Sequence, residues 1–236
     1  YSSPFSREDM MKVFKKYFLG EGKAARRCEI ENLDDIILYY VVKDNTLYAK
    51  ATNPIVVNNQ YLGYKVKFDL KDFQVKYNYK SLSDQYLKSS YYAGFSFFED
   101  INPRKERKRI KTYKGSLKHF FKILINKELE STKFKVGYKS FIRKPEDIFE
   151  VKKNDDALYQ ISLKSSLIKL FEGRPIPTKI FLKYKNENST LEFLKNEFRV
   201  DSYGNNIDIQ NFYLSGDLAK HRVAKMLPLN FSLDEM

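Results

Sequence analysis

Residues Tyr64 to Lys80 read YKVKFDLKDFQVKYNYK, with apolar or aromatic side chains at Tyr64, Val66, Phe68 and Leu70 and then at Phe73, Val75, Tyr77 and Tyr79. A side-chain period of two belongs to a strand that buries one face and wets the other, and here the wet face carries lysines. The parity changes at Lys71-Asp72. A one-residue slip would carry Phe73, Val75 and Tyr77 into water, so the change requires a tight turn or a bulge at that point. The pattern specifies architecture and is silent on activity.

The rest of the chain extends this reading. Residues 6–18 place Met10, Val13, Phe14 and Tyr17 at helical spacing behind Ser6, with acids in the first turn, which predicts a short amphipathic helix. Apolar runs at Ile36 to Val42 and Leu47 to Ala51 flank Lys43-Asp44-Asn45, a hairpin connection. Pro54 interrupts, and strands are expected again at Ile55 to Val57, Tyr61 to Tyr79 and Tyr86 to Phe98. Gly115 then precedes Ser116, the cap of a helix whose Leu117, Phe120, Phe121, Leu124 and Ile125 form one apolar stripe. From Phe134 the strand pattern returns, at Phe134 to Phe141, Leu158 to Leu163, Lys179 to Tyr184 and Phe193 to Val200. A short helix is expected from Asp217 to Met226, ending before Pro228. The order strand-rich, helical, strand-rich predicts an α+β fold, mainly antiparallel sheet covered by a few amphipathic helices, as one domain over 1–236 with an alternative subdivision near 102.

Composition narrows the function classes. The 19 phenylalanines and 18 tyrosines supply material for a large core, and the single cysteine, Cys28, excludes an intrachain disulfide and the cysteine-rich zinc patterns. A formal charge of +13 favours anionic partners: nucleic acid, phospholipid head groups or acidic glycans. No apolar run reaches the roughly 18 residues that a membrane-spanning helix needs. Tyr1-Ser2-Ser3-Pro4 has none of the organisation of a leader peptide, so the chain reads as an excised or processed piece.

Candidate chemistry is thin. The basic run Arg104, Lys105, Arg107, Lys108, Arg109, Lys111, Lys114 and Lys118, opposed only by Glu106, is the candidate ligand-binding patch. It could contact phosphates, although a solvated helix face explains it more simply. The aromatics among these basics, Tyr113, Phe120 and Phe121, occupy positions where a helix needs core contacts, whereas bases stack on exposed rings. Two histidines, His119 and His221, fall short of a catalytic zinc set, and the sequence after His119 lacks a suitably spaced acid, so no metal or cofactor is expected. Cys28 with His119 would make a thiol and base if they met in space, but a strand-embedded cysteine beside Ile30 reads as core. Gly20 and Gly22 form no phosphate-binding fingerprint. No catalytic residue is assigned; a hydrolase with a carboxylate- or Cys28-based site stays as an alternative.

Several short segments occur together in a recognisable order: Phe18-Leu19-Gly20 with Ala25-Arg26 and Cys28, Ile30 and Asn32, Leu47-Tyr48-Ala49, Pro54-Ile55, and Asn59 leading to Leu62-Gly63-Tyr64. They continue as Tyr113, Gly115-Ser116, His119-Phe120, Phe134 and Val136, and end with Arg222 and Leu227-Pro228-Leu229. In this the chain resembles the C-terminal region of bacterial envelope proteins termed carboxypeptidase-like regulatory domain-containing proteins, whose upstream regulatory sandwich is absent here. The resemblance implies a periplasmic or outer-membrane-associated component without peptidase activity. The lack of tryptophan and the dense basic run depart from the family's pattern. The resulting expectation is a non-catalytic cell-envelope binding or scaffolding module with an acidic envelope component or a protein as partner. Nucleic-acid binding through 104–118 is the alternative.

Overall fold

A computed structural model describes residues 3–154, 156–171, 174–208 and 210–233. The chain forms two compact units, one made of Tyr1–Arg109 with His221–Pro228 and the other of Ile110–Lys220 with Leu229–Met236. All strand pairings in both are antiparallel, and the fold is α+β with sheet predominating.

The first unit begins with helix α1 (Arg7–Leu19), whose Ser6 cap accepts from the backbone N–H of Asp9 at 3.1 Å. The chain leaves it at Gly20, where φ is +96°, and passes through the single turn α2 (Gly22–Ala25). Six strands follow: β1 (Cys28–Ile30), β2 (Ile36–Val41), β3 (Thr46–Ala51), β4 (Ile55–Asn59), β5 (Tyr64–Tyr77) and β6 (Leu87–Asp100). They form one sheet in the order β1-β4-β5-β3-β2, with β6 along the opposite side of β5. The parity change at Lys71 is a bulge: Leu70 faces Gly94 while Asp72 already faces Ala93, so Lys71 is the extra residue and Phe73, Val75 and Tyr77 return to the buried face. Helix α1 covers that face, with Phe14 at 4.8 Å from Phe73 and Phe18 at 5.3 Å from Phe68, centroid to centroid. Burial of Phe14 and Phe18 stabilises this packing by roughly 2–3 kcal/mol each.

Helix α3 (Glu106–Tyr113) carries the chain into the second unit. There α4 (Leu117–Ile125) is capped by Ser116, which accepts from the N–H of His119. The strands are β7 (Phe134–Tyr138), β8 (Phe141–Arg143), then after the turn α5 (Pro145–Ile148) β9 (Phe149–Lys153), β10 (Tyr159–Leu163), β11 (Lys169–Phe171), β12 (Arg174–Ile176), β13 (Thr178–Tyr184), β14 (Glu187–Phe193), β15 (Glu197–Val200) and β16 (Phe212–Gly216). They make a five-stranded sheet, β16-β14-β13-β7-β8, a three-stranded sheet, β15-β10-β9, and the hairpin β11-β12. Phe120, Phe121 and Leu124 of α4 pack with Phe134, Ile180 and Leu191 of the larger sheet and Phe149, Ile161 and Phe198 of the smaller in one core.

Three expected elements take another form. Phe134 to Phe141 is the start of a hairpin, not one strand, because Lys139 and Ser140 adopt positive φ and turn the chain between β7 and β8. Phe193 to Val200 divides into the end of β14 and the separate strand β15, which pairs with β10 in the other sheet. Residues 217–226 hold two 3-10 turns in place of an α-helix, Leu218–Lys220 and Val223–Lys225. The reason is local: His221 forms an antiparallel bridge with Gly20, which draws its backbone out of any helix.

Candidate binding cleft

The fold gives the eight basic residues of the 104–118 run different environments. Arg109 is buried, and its guanidinium meets both carboxylate oxygens of Asp100 at 2.7 Å. It also donates to the carbonyls of Leu62 (2.8 Å), Gly63 (3.1 Å) and Asn102 (3.2 Å) and lies 3.8 Å over the Tyr64 ring. The planar fork is thereby fully engaged, and Arg109 builds the wall of a site without offering charge to a ligand. Lys118, in the second unit, is half-buried and donates to the Leu229 carbonyl at 2.6 Å, and burial pushes its ammonium down to about 8. Lys108 lies 5.1 Å over the Tyr61 ring. Arg104 and Arg107 in the first unit, and Lys111 and Lys114 in the second, are exposed.

Lys105 differs from these. With Arg27, Gln60, Gly63, Ile101 and Asn102 it lines an open cleft of about 310 Å³ in the first unit. The cleft is assembled by chain reversals. Asn59 is buried, its carboxamide oxygen accepts from the Leu62 N–H at 3.0 Å, and its nitrogen donates to the Ala224 carbonyl at 3.1 Å, fixing the turn that leads into β5. The Gly63 carbonyl accepts from the N–H groups of Ile101 and Asn102 at 3.0 and 3.1 Å, and the Gln60 N–H donates to the Arg27 carbonyl at 3.0 Å. Gly63 has φ +71°, and a Cβ there would stand 2.8 Å from the Lys105 Cγ and 2.7 Å from the Asn102 carbonyl oxygen. Absence of a side chain at 63 is therefore what lets the Lys105 stem lie against the turn.

Electrostatically the cleft is one-signed. Neither Arg27 nor Lys105 forms an ion pair among the described residues, and Asp100, next in the chain to the cleft residue Ile101, is taken up by Arg109, whose hydrogen bonds hold its carboxyl below the usual carboxylate range. Two cations flanked by two carboxamides in a concave wall are suited to carboxylate, sulfate or phosphate groups. Arg27 and Gln60 carry no sequence pattern that marks them as ligands. The one local signal is the Arg26-Arg27 pair next to Cys28, and Lys105 is brought to it by the β1–β4 pairing and the turn after Asn59.

The cysteine and both histidines already have partners within the fold. The Cys28 thiol points to the Ala24 carbonyl at 3.4 Å, and burial pushes it up to about 12, far from a thiolate at neutral pH. His119 accepts the Gly115 N–H at Nδ1 (3.1 Å) and sits among Tyr113, Phe134 and Tyr184, where burial pushes it down to about 4. His221 stands 2.7 Å from the Lys225 ammonium through Nε2. No group of three His, Cys, Asp or Glu side chains that could hold a metal ion occurs among the described residues. A second concavity of about 370 Å³, in the second unit, is lined by Leu124, Leu129, Phe149 and Val151 with Lys127, Glu130 and Glu146, a mixture that favours neither sign of ligand.

No helix among the described residues is long and apolar enough to cross a membrane. Comparison of the chain with protein-family models, with curated proteins and with solved structures finds no match in any of the three.

Proposed function

We propose that the protein is a non-catalytic binding module that captures an acidic polymer, with the Arg27–Lys105 cleft as its contact point. The observation that carries this reading is the convergence of two cations without ion-pair partners, together with Gln60 and Asn102, on one concave wall. The overall charge of +13 adds long-range attraction. The resemblance to envelope proteins makes an acidic cell-envelope glycan the expected partner, and the periplasm or the outer-membrane surface the expected location. Against a thiol or histidine hydrolase stand the protonated Cys28 and the engaged Nδ1 of His119.

The test compares binding of polygalacturonate, as a polycarboxylate glycan, with binding of a single-stranded oligonucleotide, each titrated over a range of salt. Preference for the glycan, weakened by salt and by Arg27→Ala, supports the proposal. Preference for the oligonucleotide assigns the cleft to nucleic acid instead.

A further inference from the structure

The outer edge of β6 departs from how sheet edges are normally protected. β6 is 14 residues long, pairs only with β5 among the described residues, and carries no charged residue between Lys88 and Glu99. Natural edges are kept short or carry central charges, proline or a bulge that turns them away, whereas in β6 the bulge, at Lys88, lies at one end and leaves Ser89 to Asp100 in register with β5 apart from the shift opposite Lys71. Here Phe95 and Phe97 stand 71% and 67% exposed on the face turned away from α1. The sheet's other two ends, β1 and β2, have only three and six residues.

The sequence of β6 is also complementary to itself. Antiparallel pairing with a second β6 about Gly94 sets Tyr91 opposite Phe97 of the other copy, Ala93 opposite Phe95, Tyr92 opposite Ser96 and Ser90 opposite Phe98. In three of these four pairs a ring meets a small residue, and in the fourth two rings meet on the outer face, a favourable cross-strand combination. The same register brings Lys88 of each copy to the end of the other strand that carries Glu99 and Asp100. We infer that β6 is the seam of a symmetric dimer, in which two copies of this chain join their first-unit sheets edge to edge, antiparallel and centred on Gly94. The partner is a second copy because the register satisfies both rings and charges from one strand alone. The inference does not depend on the Arg27–Lys105 cleft.

The test is the solution mass of the whole chain by sedimentation equilibrium, with cysteine cross-linking as a second measure. A mass of twice 28.0 kDa is expected. Association should strengthen with salt, because two chains of like charge +13 repel each other, opposite to the salt response of the cleft. Phe95→Lys with Phe97→Lys should return the protein to a monomer with an unchanged circular dichroism spectrum, since both side chains are exposed. Mixing an Ala93→Cys variant with a Phe95→Cys variant should yield a mixed disulfide, as directly opposed residues have the spacing a disulfide needs. A monomer at every soluble concentration, a dimer indifferent to the two lysines, or a mixture that fails to cross-link would overturn it.

Discussion

Arg109 closes a two-point ion pair on Asp100 while also donating to three backbone carbonyls, so one buried guanidinium ties the end of β6 to the turn that opens β5. A residue whose place in a basic run suggests ligand binding is instead the brace behind the cleft wall. Replacing it with alanine takes the guanidinium donor from the Leu62 carbonyl and the ion pair from Asp100, while the Gly63 and Asn102 carbonyls keep the N–H groups of Ile101, Asn102 and Lys105. Arg109→Ala should lower unfolding stability by about 3 kcal/mol in urea titration, while Asp100→Asn, at a partly exposed position, should lower it by about 1 kcal/mol.

Acid should destabilise the second unit through His119. Its folded value, near 4, lies below the ordinary 6.5, so between those values the unfolded chain holds the extra proton and stability rises with pH. Acidification from pH 7 to 4 should therefore cost on the order of 2 kcal/mol after allowance for partial exposure. His119→Gln should flatten that part of the profile in thermal unfolding followed across pH.

The same helix start depends on Gly115, which has φ +89° and where a Cβ would stand 2.4 Å from the Tyr184 ring. Gly115→Ala should cost about 2–3 kcal/mol, combining backbone strain with the clash. Ser116→Ala should cost about 1 kcal/mol through loss of the cap. Both are readable from denaturant midpoints.

The bulge at Lys71 gives a contrast within one strand. Deleting Lys71 joins Leu70 to Asp72 in regular alternation, removes an exposed ion pair to Asp69 and an ammonium 5.9 Å over the exposed Phe95 ring, and should cost about 1 kcal/mol. Deleting Lys67 instead puts every later or earlier apolar residue of β5 on the wrong face. That variant should not fold, as judged by loss of the near-ultraviolet tyrosine signal.

Much of this architecture is legible in the residues themselves. The alternation from Tyr64 states the strand and narrows Lys71-Asp72 to a tight turn or a bulge, of which the fold takes the bulge, and Ser6 and Ser116 announce helix starts, because these depend on period and local hydrogen bonds. The hairpin at Lys139-Ser140 was hidden, since neither residue type marks a positive φ. The cleft was half legible: Lys105 lies in a conspicuous basic run, but Arg27 reaches it only through non-local strand pairing. The fate of Arg109 was equally non-local, being decided by carbonyls at Leu62 and Gly63.

The most direct test of the central claim is the affinity for polygalacturonate of the wild type, of Arg27→Ala with Lys105→Ala, and of Lys111→Ala with Lys114→Ala, each across a salt series. The cleft variant should bind roughly tenfold or more weakly, with a salt slope shallower by about 2, while the Lys111 and Lys114 variant stays near wild type. Equal loss in both variants, or a cleft variant that binds as the wild type does, would contradict the account.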